Sequence, residues 1–115
     1  MLPIEIDFIT SVNNNNIYKI KQRLNDTLFD PSFSDNLAFL YARQERNIEI
    51  IKLLLKNKNI LANDRDNRPF LFAYHNNYQD VIEILWAEEK IKKDLQLNKP
   101  DIFRELTMRD KLKKF

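Results

Sequence analysis

The chain predicts an all-α fold, an α-solenoid of about three helix–turn–helix units plus a C-terminal capping helix. Three observations predict it. The segment 36–55 is answered 31 residues later by 67–86: Asp35-Asn36 falls on Asp66-Asn67, Phe39-Leu40 on Phe70-Leu71, Ala42 on Ala73 and Leu53-Leu54 on Ile84-Leu85. Inside each segment the apolar residues recur at three- and four-residue spacing, the mark of a helix with one buried face. The 115 residues contain no glycine, so the turns between helices must be made by Asn and Asp, the residues that next best tolerate positive φ. A fixed period of this size marks a stack of supersecondary units.

The elements follow in order. In the first unit, about 5–33, Phe8, Ser11, Ile17, Ile20, Lys21 and Leu24 precede Phe39, Ala42, Ile48, Ile51, Lys52 and Leu55 by the same step. In the second, about 34–64, a helix from roughly Leu37 to Glu45 is apolar over much of its surface, as suits a helix flanked by neighbours. Its partner opens with Asn47 as N-cap and Glu49 in the first turn, where a negative charge suits the helix dipole, and buries Ile48, Ile51, Leu54 and Leu55. In the third, about 65–95, Pro69 sits in a first helical turn, where its missing N–H costs little. The small residues Ser11, Ala42 and Ala73 mark where paired helices approach. Asn98 and Pro100 then follow Asn67 and Pro69, and 101–114 reads as a closing helix with Ile102, Phe103, Leu106 and Leu112 as its apolar positions, a partial capping unit over 96–115. The whole of 1–115 reads as one domain.

Asn15 and Asn77 stand at the turn between the two helices of their units, and Arg46 stands at the same place in the second. A long cationic side chain is a poor left-handed residue, so Asn47 is expected to take the strained conformation there. The run Asn13–Asn16 reads as plain turn, being too short for a low-complexity tract.

These residues resemble the ankyrin repeat. Asp66-Asn-Arg-Pro-Phe-Leu-Phe-Ala73 is similar to that family's turn and its Thr-Pro-Leu-His-x-Ala helix start, with Pro69 and Ala73 matching, Arg68 where Thr is usual and Leu71 where His is usual. Asn47-Ile-Glu-Ile-Ile-Lys-Leu-Leu-Leu55 is similar to its Leu-Glu-Val-Val-Lys-Leu-Leu-Leu helix. The resemblance covers about 6–95. It departs from the family in a period about two residues short of the usual 33 or so, the shortfall lying between Leu55 and Asn63, and in the absent turn glycines. The shortfall implies a reduced β-turn between units. The resemblance implies a non-catalytic protein-binding module that meets its partner through turn tips and first helices. Carried onto this chain, that surface is Phe33, Ser34, Asn36, Gln44 and Glu45 in the second unit and Asp64, Arg65, Asn67, His75 and Asn76 in the third.

Composition narrows the function classes. With no cysteine there is no disulfide framework, thiolate nucleophile or cysteine zinc site. Without glycine there is no phosphate-cradling loop. The formal charge of +2 is too small to imply a polyanion, so no nucleic-acid partner is expected. No apolar run approaches the ~20 residues of a membrane span, and the first residues lack a basic, then apolar, signal pattern. The expected setting is therefore intracellular, cytoplasmic or nuclear, or inside a virion. Richness in Asn, Lys, Ile, Phe and Tyr with scarce Ala fits an AT-rich genome such as those of giant viruses, some protists and some intracellular bacteria.

The residues that could carry chemistry read more simply as structure. His75 is the single histidine, with no second group to pair with in acid–base work; a partner contact or an ordinary surface side chain is the expectation. Asp64, Asp66 and Asp80 lack the Gly and distal Glu of a calcium loop and read as turn and helix-start residues, so no metal is expected. Lys111, Lys113 and Lys114 interleave with Glu105 and Asp110 as a solvated cap. Trp86, at the position of Leu55, is read as packing, with a binding anchor as the alternative. No cofactor and no small-molecule ligand are expected. The second functional expectation is a structural subunit docked in a larger assembly, which would expose a contiguous apolar patch.

Overall fold

A computed structural model of the protein describes residues 1–113, the side chains of residues 64–66 excepted. The described residues form eight α-helices and no strand. They are α1 (Pro3–Asn13), α2 (Ile17–Leu24), α3 (Phe33–Gln44), α4 (Ile48–Leu55), α5 (Asp64–His75), α6 (Gln79–Trp86), α7 (Glu89–Asn98) and α8 (Pro100–Lys113). The expected count was seven, so α7 is an addition. None of the described helices is long and apolar enough to cross a membrane.

The chain divides into two compact units, Met1–Leu61 and Ala62–Phe115. In the first, α1 pairs with α2 and α3 with α4, while α1 packs on α3 and α2 on α4. Its core holds Phe8, Ile20, Phe39, Ile50, Ile51 and Leu54, all fully buried. The rings of Phe8, Phe29 and Phe33 meet at 4.9 to 6.2 Å between centroids. In the second unit α5 pairs with α6 and α7 with α8, and α7 also touches α5 and α6. Phe70, Leu85, Ile91 and Leu95 are fully buried there.

Three helices end by the same device. The amide of Asn16 donates to the carbonyl of Ser11 at 2.8 Å and that of Asn15 to Val12 at 3.2 Å. The pairs Asn47 to Ala42 and Arg46 to Arg43, both 3.0 Å, repeat this, as do Tyr78 to Ala73 at 2.9 Å and Asn77 to Tyr74 at 3.2 Å. This is the Schellman closure, which needs a left-handed residue just past the helix. Asn15, Arg46 and Asn77 supply it, with φ of 56°, 51° and 59°. The expectation for Asn47 is thus corrected: it stays at φ −83° as the N-cap of α4, its side chain accepting from the Ile50 amide at 3.2 Å. The geometry leaves only residue 46 to turn the chain, although the left-handed conformation costs an ordinary L-residue roughly 1–2 kcal/mol.

A second left-handed site sits at the start of two first helices. Asn36 and Asn67 have φ of 68° and 64°, their amides donating to Ser32 at 2.9 Å and Asn63 at 3.2 Å. In α3 the left-handed stretch also takes in Ser34 and Asp35, and regular helix resumes at Leu37. In α5 Pro69 follows Asn67 by two residues, so it falls in the first turn after the break.

The links after α2 and α4 are the same turn. Phe29 donates its amide to the carbonyl of Asp26 at 3.1 Å, and Leu28 its own to the Asp26 carboxylate at 2.9 Å. Ile60 and Asn59 do the same to Asn57 at 3.1 and 2.9 Å. The expected shortfall between Leu55 and Asn63 therefore leaves a closed turn, without strands. The next position in this register is Glu88. Its amino-acid type cannot make the tight side-chain bond two residues on that Asp and Asn make. Here the Ile91 amide still donates to the Glu88 carbonyl at 3.1 Å, and the chain continues as α7.

Candidate functional site

The surface expected to meet a partner falls at the two ends of the first helices, and each end behaves differently. At the helix ends the expected residues are presented outward. Gln44 closes α3 and Glu45 caps it, both exposed. His75 closes α5, exposed, its ring edge-on to Tyr74 at 5.6 Å. Asn76 caps α5, its amide group donating to the Phe72 carbonyl at 2.8 Å. In the first unit the adjoining turns are tied together: the Asn47 amide nitrogen donates to Asn15 Oδ1 at 2.8 Å. The corresponding turn of the second unit is braced from within, Gln79 donating to Asn77 Oδ1 at 2.5 Å.

At the helix starts the picture changes. Ser34 is exposed, but the Phe33 ring is half-buried in the cluster with Phe8 and Phe29. Asn36 is only 6% exposed and Asn67 only 3%. The Asn36 side chain donates to the Leu61 carbonyl at 3.2 Å, holding the following turn against the helix start. These two asparagines, expected as contacts, are buried instead. Asp64 and Arg65 lie outside the residues whose side chains are described.

The exposed aromatic surface includes residues that sequence reasoning did not place in the site. Phe72 is exposed on α5 with its ring edge-on to Tyr78 at 5.9 Å, and Tyr18 is exposed on α2. In repeat register Phe72 follows Tyr41 and Thr10.

In the second unit a cleft of about 330 Å³ is lined by Tyr74, Asn77, Gln79, Ile82, Glu105 and Arg109. Two of its polar groups, Tyr74 and Glu105, bond each other. The Tyr74 hydroxyl donates to Glu105 at 2.5 Å, and this bond, then burial and the Glu105 charge, pushes the phenol above its ordinary range. Arg109 lies 2.7 Å from Glu83, which Lys113 also meets at 3.3 Å. Trp86 is a packing residue, 5% exposed: its ring lies 5.9 Å from Phe103 and its indole N–H donates to Asp110 at 2.7 Å. That hydrogen bond is the main cause holding the Asp110 carboxyl below the usual range; the charges of Arg109 and Lys113 add to it, and burial opposes it. Among the described residues no group of three or more His, Asp or Glu could hold a metal ion.

No protein-family model, no curated protein and no solved structure matches the chain.

Proposed function

We propose that the chain is an ankyrin-like α-solenoid that acts as a non-catalytic protein-binding module, meeting a protein partner along the turn tips and the ends of its first helices. One observation carries this reading, the persistence of the 31-residue step in backbone and burial as well as in letters. Left-handed residues recur at 15, 46 and 77 and at 36 and 67. Buried residues recur as Phe8, Phe39 and Phe70, as Ile20, Ile51 and Ile82, and as Phe29, Ile60 and Ile91. A stack of such units offers an extended, pre-ordered edge, and binding on it loses little ordering entropy.

Gln44, Glu45, His75 and Asn76 are the contacts the reading keeps, joined by Phe72 and Tyr78 as an aromatic ledge of the kind enriched in binding hot spots. The non-catalytic part rests on the lone histidine: His75 is exposed at the end of α5 and is not among the residues that line the cleft. The experiment is capture from cells of the source organism, read by mass spectrometry. A variant carrying Gln44→Ala, Glu45→Arg and His75→Glu should melt like the wild type and lose the proteins the wild type enriches. Equal capture by both would remove the assignment. The alternative reading, a subunit docked in a larger assembly, is favoured by the exposed apolar residues Leu28, Leu97, Met108 and Leu112.

A further inference from the structure

The first unit holds a cleft that the proposed protein contacts do not use. Its volume is about 330 Å³, and it is lined by Lys21, Leu24 and Asn25 around the end of α2 and by Leu53, Lys56 and Asn57 around the end of α4. That is the small end of the range for ligand sites. No carboxylate is among the described residues that line it. Lys21 and Lys56 are exposed and make no ion pair or hydrogen bond among the described residues. Asn57 commits its side-chain oxygen to the Asn59 amide at 2.9 Å, which leaves its NH2 group as a donor. Asn25 makes no side-chain hydrogen bond among the described residues. Two ammonium groups and two amide NH2 groups thus stand against one uncommitted side-chain acceptor, the Asn25 oxygen.

The turns do not demand this excess of donors. Asp26 serves the turn after α2 as Asn57 serves the turn after α4, each accepting from the amide two residues on at 2.9 Å. With Asn at 57 the bond is made without adding a negative charge to the cleft. Asp26 itself does not line the cleft. The sign of the site is decided by two opposed effects. Each helix C-terminus carries about half a negative charge, so the two lysines leave roughly one net positive charge. Leu24 and Leu53, both half-buried, add an apolar wall beside the cations.

We propose that this cleft binds a carboxylate joined to a short apolar body. The anion meets Lys21, Lys56 and the NH2 groups of Asn25 and Asn57, and the apolar part covers Leu24 and Leu53. A single carboxylate matches the net charge of the site, and its oxygens accept from every donor there. A free aliphatic acid and a peptide C-terminus ending in an apolar residue share this chemistry. The site lies on the second helices, so it stands independently of the partner-binding reading.

The test is an amide NMR titration of the whole chain with hexanoate. The wild type should show saturable shifts at residues 21–25 and 53–57, with a Kd on the order of 1 mM. Acetate, which lacks the apolar body, and hexanol, which lacks the charge, should each bind about tenfold more weakly or worse. Lys21→Gln with Lys56→Gln removes both cations; Lys52→Gln with Lys58→Gln removes the same charge from positions that do not line the cleft. All four lysines are exposed, so both variants should melt like the wild type. The first pair should weaken hexanoate about tenfold or more, and the second by no more than about twofold. The tripeptide acetyl-Gly-Gly-Leu separates the two sources: tighter binding than hexanoate assigns a chain terminus, and equal or weaker binding assigns a free acid. Shifts that never saturate, saturable shifts elsewhere, hexanol binding as well as hexanoate, or equal weakening by the two variants would each overturn the proposal.

Discussion

The two compact units are built on one 31-residue template and depart from it in different ways. The first unit keeps the backbone and changes side chains. Ala38, Ile50 and Leu54 form a fully buried apolar trio in its second repeat. Their counterparts in the first repeat are Asp7, Lys19 and Arg23, an ion-paired trio with Lys19 at 3.4 Å and Arg23 at 3.9 Å from Asp7. The second unit keeps the apolar trio as Pro69, Val81 and Leu85, all buried, and changes the backbone, turning a link into α7. In the first unit the letters change from apolar to ion-paired; in the second the apolar letters stay, and α7 packs on α5 and α6.

The comparison breaks most severely if the shared columns are not equivalent. Phe39→Ala and Phe70→Ala should each cost about 3–5 kcal/mol, since both rings are fully buried. Chemical denaturation checks this, and a loss below about 1 kcal/mol in either would separate the two units. Next, Ala42→Trp and Ala73→Trp should each destabilise by about 1–3 kcal/mol or more through overpacking where paired helices approach. Wild-type melting temperatures in both variants would contradict the pairing.

A contact confined to the second unit comes third. Asp110→Leu strands the indole N–H of Trp86 and should cost about 1–3 kcal/mol. Its pH dependence follows from the direction of the shift. The Asp110 carboxyl is held low in the folded state, chiefly by the Trp86 hydrogen bond, so its stabilisation is present above the unfolded carboxyl range. That stabilisation is lost as pH falls through the lower, folded value. The Asp110→Leu variant should therefore lie closest to the wild type at the acid end, and a gap that widens on acidification would contradict the assignment.

The smallest effect concerns the turn all three hairpins share. Arg46→Gly removes the left-handed strain at φ 51° and should leave stability unchanged or raise it by about 1 kcal/mol; Arg46→Val should lower it. A loss of stability with glycine would mean that the arginine side chain, not the backbone, holds this turn.

What was legible in the sequence follows the same division. The columns of Phe8, Phe39 and Phe70 and of Ile20, Ile51 and Ile82 could be read because their letters recur and their burial needs only local helical spacing. The left-handed Asn15 and Asn77 could be read because no glycine was there to do the work. The helix α7 could not, since in repeat register 89–98 falls largely on a turn; the one signal was Glu88 replacing Asp26 and Asn57, supported by Ile91 and Leu95 four apart. In the candidate site, Gln44, Glu45, His75 and Asn76 were expected from the ankyrin resemblance, and all four are exposed. The burial of Asn36 was not legible, because it depends on the reach of its side chain to a carbonyl 25 residues away.

The most direct measurement is the backbone conformation of residues 15, 46 and 77 in solution, from NMR chemical shifts and amide–α-proton couplings. The repeat account places all three at positive φ, with Arg46 as clearly left-handed as the two asparagines. A negative, right-handed φ at Arg46, with Asn47 or no residue taking its place, would contradict it.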